Sequence, residues 1–243
     1  MAKKTSRREF VQLAGLAATG LITIQTVGAQ PVPALQAPTT ARTMGARFRE
    51  LLRGTEPFPC PSAYDLPSAR LIEMHGFQAV FLGSSSVTLS LVGLPDQAVV
   101  TVSEIIAWDS MIASNVDIPV VADVDDFGAS PLNVYRFSKD ADRRGIGAAA
   151  FDDRMPLNRA TNYAAPGVIP KDQMIDKIHA ATDARTDMVL IVRCLAPTPN
   201  GSTSDLLDRA MAYAEAGADA VWMEFRTPQD SLRAAGMIKK PIW

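Results

Sequence analysis

From residue 59 onward the chain repeats one pattern: a helical stretch closes on Gly, and within a few residues a short apolar run begins. His75-Gly76 leads into Phe77-Gln78-Ala79-Val80-Phe81-Leu82, and Arg144-Gly145 into Ile146-Gly147-Ala148-Ala149-Ala150-Phe151. Ala216-Gly217 leads in the same way into Ala218-Asp219-Ala220-Val221-Trp222-Met223. Glycine just past a helix takes the left-handed cap, and so short an αβ loop turns the chain back along its own helix. Apolar runs too short for helices read as buried strands. The pattern predicts strands at 59–63, 79–83, 118–123, 148–152, 188–193 and 220–224, with a seventh starting at 241–243. It predicts helices at 43–52, 67–75, 103–115, 131–144, 171–184, 204–216 and 228–237. Ser103 opens the third of these, and Ser204 or Asp205 caps the sixth.

Alternation of strands and helices implies parallel βαβ units. No Gly-x-Gly-x-x-Gly turn follows the first strand, so a dinucleotide-binding sheet lacks its fingerprint. The expected fold class is α/β: a (β/α)8 TIM-type barrel, incomplete at the C-terminus, with about six to seven strands present. Strands one and six are then expected as exposed edges, Trp243 has little to pack against, and the isolated chain is expected to aggregate and to be nearly inactive.

The region ahead of the barrel differs in kind. Lys3, Lys4, Arg7 and Arg8 precede an apolar stretch at 10–24, and Val27-Gly28-Ala29 supplies the small residues of a cleavage site. Ser6-Arg7-Arg8-Glu9-Phe10-Val11 resembles a twin-arginine export signal. Residues 1–29 are thus expected to be a signal peptide, 30–42 a Pro/Thr-rich linker, and 43–243 the barrel domain of a periplasmic or secreted bacterial protein. The apolar stretch is too short and too interrupted to span a bilayer. Losing the signal removes four of 24 basic and one of 26 acidic residues, leaving 20 against 25, a net charge of −5. With no basic stripe, nucleic acid and, once the signal is gone, anionic membrane are excluded as partners. Two cysteines, Cys60 and Cys194, are too few for a disulfide framework and are expected as small buried hydrophobes.

In a parallel barrel the chemistry gathers where strands end. Strand one delivers Tyr64 and Asp65 there, and strand two a polar turn, Gly83-Ser84-Ser85-Ser86. Strand three delivers Asp123, Asp125 and Asp126; strand four Asp152, Asp153 and Arg154; strand five Arg193; strand six Glu224. Three carboxylates within four positions repel one another unless protons or a cation are shared among them. Hard carboxylate oxygens suit Mg²⁺. Arg193 and the Ser-rich turn suit an anionic substrate. Asp65 also precedes a helix and reads equally as its cap. His75 and His179 read as structural, and Asp140, Asp142, Arg143 and Arg144 as a solvated helix face.

These residues also carry a resemblance. Tyr64-Asp65-Leu66-Pro67-Ser68-Ala69-Arg70-Leu71, Gly93-Leu94-Pro95-Asp96, Ala122-Asp123-Val124-Asp125, Phe151-Asp152-Asp153, Ile191-Val192-Arg193 and Ala212-Tyr213-Ala214-Glu215-Ala216-Gly217 resemble, in order, the phosphoenolpyruvate mutase/isocitrate lyase superfamily. The resemblance implies a (β/α)8 barrel that uses Mg²⁺ and makes or breaks C–C or P–C bonds beside a 2-oxo carboxylate. It implies Asp123 as the direct metal ligand, Asp125 and Asp96 as holders of the metal's waters, and Asp152 in place of the usual Glu, one methylene shorter. It implies Arg193 against the substrate carboxylate, with Tyr64, Gly83, Ser84, Ser85 and Glu224 around the substrate, and Tyr64, Asp96 and Arg193 as catalytic. Gly before Ser in that turn is similar to the oxaloacetate decarboxylase branch. The lyases' Lys-Lys/Arg-Cys-Gly-His loop is replaced by Arg154-Met155-Pro156-Leu157-Asn158-Arg159-Ala160-Thr161-Asn162-Tyr163, without Lys, Cys or His. The expected function is a Mg²⁺-dependent lyase or decarboxylase of a small 2-oxo or 2-hydroxy acid through an enolate, homo-oligomeric if complete. The alternative is a non-catalytic exported barrel that binds a carboxylate.

Overall fold

The computed structural model describes residues 42–156, 167–195, 203–225 and 227–243. The expected signal peptide, the linker up to residue 41 and most of the loop at 154–163 lie outside the described residues. In chain order the elements are α1 (Met44–Arg53), β1 (Ser62–Ala63), α2 (Leu66–Met74), β2 (Val80–Leu82), α3 (Ser84–Val92), α4 (Val102–Ala113), β3 (Val120–Asp123), α5 (Pro131–Arg143), β4 (Ala148–Asp152), α6 (Lys171–Ala184), β5 (Val189–Cys194), α7 (Thr203–Ala216), β6 (Ala220–Met223) and α8 (Pro228–Met237). The six strands are all parallel and lie side by side in chain order. Ile242 adds one parallel bridge to Val221, where a seventh strand was expected to begin.

Side chains alternate strictly across the sheet, as the period of two requires. Ala79, Val121, Ala148, Ala150, Val189, Ile191 and Ala220 form an inner cluster with Phe81 and Trp222. Their neighbours Ala122, Ala149, Phe151, Leu190, Val192 and Val221 pack outward in a second cluster with the helices. Phe48 of α1 belongs to the inner cluster, so α1 closes the floor of the sheet's concave side. That approach requires a glycine: a Cβ on Gly45 would sit 2.2 Å from the Asp187 carbonyl oxygen.

Several sequence expectations are corrected. The Ser-rich stretch after β2 is a helix, α3, rather than a turn. Gly83 caps it, and Gly93, at φ +67°, ends it in the left-handed conformation. Helix α4 is capped by Thr101 in a reciprocal box with Glu104, two residues before Ser103. α7 begins at Thr203, so Ser204 and Asp205 lie inside its first turn. Trp243 does find partners: its ring packs 5.7 Å from Phe48 and 6.2 Å from Phe58, and its N–H donates to the Val221 carbonyl at 2.8 Å. Cys60 is half-buried rather than buried, though its thiol is pushed up to about 12 by burial. Asp142 is no idle surface charge, since its carboxylate accepts from the N–H groups of Thr186 and Met188, both at 2.8 Å, and of Asp187 at 3.2 Å. The capping role of Asp65 holds, in a reciprocal box with Ser68.

Candidate active site

The inner parity runs past the core to the strand ends. Asp123 follows Val121, Asp152 follows Ala150, Arg193 follows Ile191 and Glu224 follows Trp222, each two positions on and hence on the same face. Gly83 follows Phe81 likewise. The C-terminal end of the sheet's inner face is therefore a ring of polar groups set above an apolar floor.

Ser84, the first residue of α3, joins three of the carboxylates. Its hydroxyl lies 3.0 Å from Asp96 Oδ2, 3.0 Å from Asp125 Oδ1 and 3.4 Å from Asp123 Oδ2. One hydroxyl proton donates to one of them at a time, so the other oxygens face each other without it. The Ser85 hydroxyl adds a second donor to Asp96 Oδ2, at 3.0 Å. Burial is the main cause that lifts the Asp125 carboxyl to about 8, with the charges of Asp123, Asp96 and Asp152 adding to it. Burial also raises Asp123. It raises Asp152 to about 6 against the pull of Arg154. The Arg154 guanidinium reaches Asp152 Oδ2 at 3.2 Å, and the Arg154 N–H donates to Asp152 Oδ1 at 3.1 Å.

Arg193 pairs with Glu224, and its guanidinium carbon lies 4.3 Å from the centre of the Trp222 ring. Stacking of this kind favours Arg over Lys. Its Nε is buried and, among the described residues, has no hydrogen-bond partner. A cavity of about 170 Å³ beside the carboxylates is lined by Asp96, Asp125, Arg154, Val100, Ile105 and Met155. Tyr64 is 52% exposed, and its carbonyl accepts from Trp108 Nε1 at 3.3 Å.

Two more of the expected carboxylates have structural contacts of their own, although Asp126 also lines this cavity. Asp126 accepts from the Gly128 N–H at 2.8 Å and shapes its own loop. Asp153 has the outward parity and is fully buried behind the sheet. It accepts from the Tyr213 hydroxyl at 2.9 Å, the Leu195 N–H at 2.9 Å and Arg209 at 3.4 Å. Two buried charged residues escaped the sequence reading. Asp109 on α4 is fully buried, and neither carboxyl oxygen has a hydrogen-bond partner among the described residues. Burial above all, and then the charge of Asp123, holds its carboxyl well above the usual range. The signal was present: Asp109 interrupts the apolar stripe of Ile105, Ile106 and Ile112. Lys177 on α6 is the other, its ammonium buried against the Asp126 carbonyl.

Among the described residues no three His, Cys, Asp or Glu side chains stand close enough to ligate one ion together. Mg²⁺ does not require three, since it binds through one or two carboxylates and keeps several waters. The donor set is all hard oxygen, half-buried to buried and in excess of its counter-charges, which fits such an ion.

The chain matches the family described as phosphoenolpyruvate phosphomutase over residues 48–240. It is similar to the 2,3-dimethylmalate lyase of Eubacterium barkeri, 29% identical, with 77% of this chain and 65% of the relative covered. It is similar also to the oxaloacetate decarboxylase of Pseudomonas putida (strain GB-1), 34% identical over 72% of this chain and 61% of the relative. The chain thus spans less than two thirds of the length of these two relatives. A solved structure of phosphonopyruvate hydrolase in complex with oxalate and Mg²⁺ superposes with a TM-score of 0.73 at 28% identity, covering 82% of this chain and 71% of that one.

Proposed function

Because the chain belongs to the phosphoenolpyruvate phosphomutase family, we propose that it is a Mg²⁺-dependent carbon–carbon lyase or decarboxylase. Its substrate in this reading is a small 2-oxo or 2-hydroxy carboxylic acid, and cleavage passes through an enolate. The observation that carries this is the convergence of Asp96, Asp123 and Asp125 on Ser84, at the same strand ends as Arg193. Asp123 would hold the ion directly, Asp96 and Asp125 would hold its waters, and Asp152 would add a shorter-armed carboxylate. Bound there, Mg²⁺ stabilises the negative charge that develops on the substrate's 2-oxo oxygen.

The protein's own groups do the rest. Arg193 fixes the substrate carboxylate, its position held by Glu224 and Trp222 and its Nε without a partner among the described residues. In this reading Gly83, Ser84 and Ser85, at the start of α3, and Tyr64, which follows β1, surround the substrate. Decarboxylation suits a chain whose 154–163 loop has no Lys, Cys or His. The C–C bond breaks with its electron pair passing into the 2-oxo system, CO₂ leaves, and water protonates the enolate. No side chain has to remove a proton first, as cleavage of a 2-hydroxy acid would require. Neither the relatives nor the site supports a non-catalytic carboxylate-binding barrel.

The test is pyruvate release from oxaloacetate with and without EDTA. Release that EDTA stops and excess Mg²⁺ restores is the expected result; no release in Mg²⁺ refutes decarboxylation of this acid. In the same proposal the mature enzyme is periplasmic or secreted, so replacing Arg7 and Arg8 by Lys should leave the precursor in the cytoplasm.

A further inference from the structure

The backbone that carries Asp125 is unusual. Asp125 has φ +50° and Phe127 φ +54°, followed by Gly128 at +99°. Two non-glycine residues in the left-handed region within three positions are held there only if their surroundings over-determine them. From β4 the Ala150 carbonyl accepts from Val124 N–H at 2.9 Å, and Asp152 N–H donates to the Asp125 carbonyl at 2.8 Å. Phe127 is fully buried, with its ring centre 5.4 Å from that of Phe151. The next carbonyl, that of Asp126, takes its donor from outside the sheet: the ammonium of Lys177.

Lys177 is an expensive way to satisfy one carbonyl. Its residue is 3% exposed, and burial of an ammonium is costly unless opposite charge surrounds it. The charges of Asp126, Asp152 and Asp153 do surround it and oppose the lowering of its pKa by burial. A hydroxyl or amide would meet the carbonyl without that cost. A cation meets it while also offsetting the carboxylates crowded at the ends of β3 and β4.

We propose that Lys177 is a positioning residue: its buried ammonium pins the Asp126 carbonyl, fixes the left-handed turn at Asp125, and so sets that carboxylate toward the divalent cation. It touches neither the substrate nor the cation. The proposal rests on the metal reading above, and the experiment separates the two.

The full-length protein is stripped of metal and titrated with MgCl₂ by calorimetry as wild type, Lys177→Met, Lys177→Arg and Asp123→Asn. Amide exchange across 124–128 is followed in the metal-free proteins. Lys177→Met is expected to weaken Mg²⁺ at least tenfold and to speed exchange at 124–128 before any metal is added. Lys177→Arg, which keeps a charged donor of similar reach, is expected to restore affinity to within about threefold and exchange to the wild-type rate. If Lys177→Met does not fold, Lys177→Gln takes its place with the same expectation of weaker binding and faster exchange. Wild-type Mg²⁺ affinity in the neutral variant, with Asp123→Asn defective, overturns the role of Lys177 and leaves the metal site standing. Wild-type affinity in Asp123→Asn overturns the metal assignment itself, and the proposal with it.

Discussion

Asp152 and Arg193 are register partners across β4 and β5, and both continue the inward-facing rows of their strands. Opposite charges set side by side would be expected to pair, yet each is committed elsewhere: Asp152 to Arg154, and Arg193 to Glu224 over the Trp222 ring. The guanidinium is thus oriented from its far end, while Nε has no hydrogen-bond partner among the described residues. A Lys at this position keeps the charge but neither the stack nor the fork. Arg193→Lys is expected to lose about 2 kcal/mol of substrate interaction, roughly 30-fold in kcat/KM. Steady-state kinetics on oxaloacetate check it; unchanged constants would make Arg193 a structural ion pair.

Asp123→Asn and Asp125→Asn are each expected to abolish Mg²⁺ binding without unfolding the chain. Burial first, and then the neighbouring carboxylates, disfavours the ionised form of each side chain, and an amide carries neither cost, so the metal-free variants should melt at or above the wild-type temperature. Calorimetric titration and thermal melts read both effects, and an undisturbed Mg²⁺ affinity in Asp123→Asn would sink the assignment.

Asp109 is a stability liability with a pH signature. Its folded-state pKa lies above the ordinary carboxyl value, through burial first and Asp123 second. Below about pH 4 the folded and unfolded chains both hold the proton and nothing is lost. As pH rises, the unfolded chain releases its proton while the folded protein must keep it, and stability falls. Asp109→Val, close in volume and without an unpaired oxygen, should therefore gain about 1–3 kcal/mol at pH 7. The gain should shrink toward pH 4. Urea melts showing Asp109→Val less stable than wild type at pH 7 would mean that the carboxyl has a partner.

Asp142 carries the opposite sign. Burial would raise its pKa, but the N–H groups of Thr186, Met188 and Asp187 outweigh burial and hold it below the ordinary value. Its contribution is fully present above the unfolded carboxyl value near 4 and disappears as pH falls through the lower folded one. Asp142→Ala is expected to cost about 2 kcal/mol at neutral pH, with the two stability curves converging in acid. A constant offset across that range would assign the loss to packing instead.

Much of this was legible in residue order alone. Five of the six strands stood out as short apolar runs, and Asp123, Asp152 and Arg193 were visible because each ends such a run in a charge. β1 was placed too generously, at five residues against the two that pair, because Pro59 and Pro61 withhold the N–H groups a ladder needs. Helix α3 was missed because Val87-Thr88-Leu89-Ser90-Leu91-Val92 alternates and is β-branched, which reads as strand or loop; only its docking behind β2 makes it helical. Asp142, Asp153 and Lys177 were beyond reach for a different cause: their hydrogen-bond partners lie 42 or more positions away in the chain.

The rows of alternating side chains impose a frame on what the gene can tolerate. Because core and chemistry share one face of each strand, removing a single codon within β4 would swing Asp152 out among the helices and bring Phe151 over the site. Inside the strands only losses or gains of two residues at a time preserve the phase. Lineages diverging from this barrel are therefore expected to carry their length variation almost wholly in the loops beyond Asp123, Asp152 and Arg193.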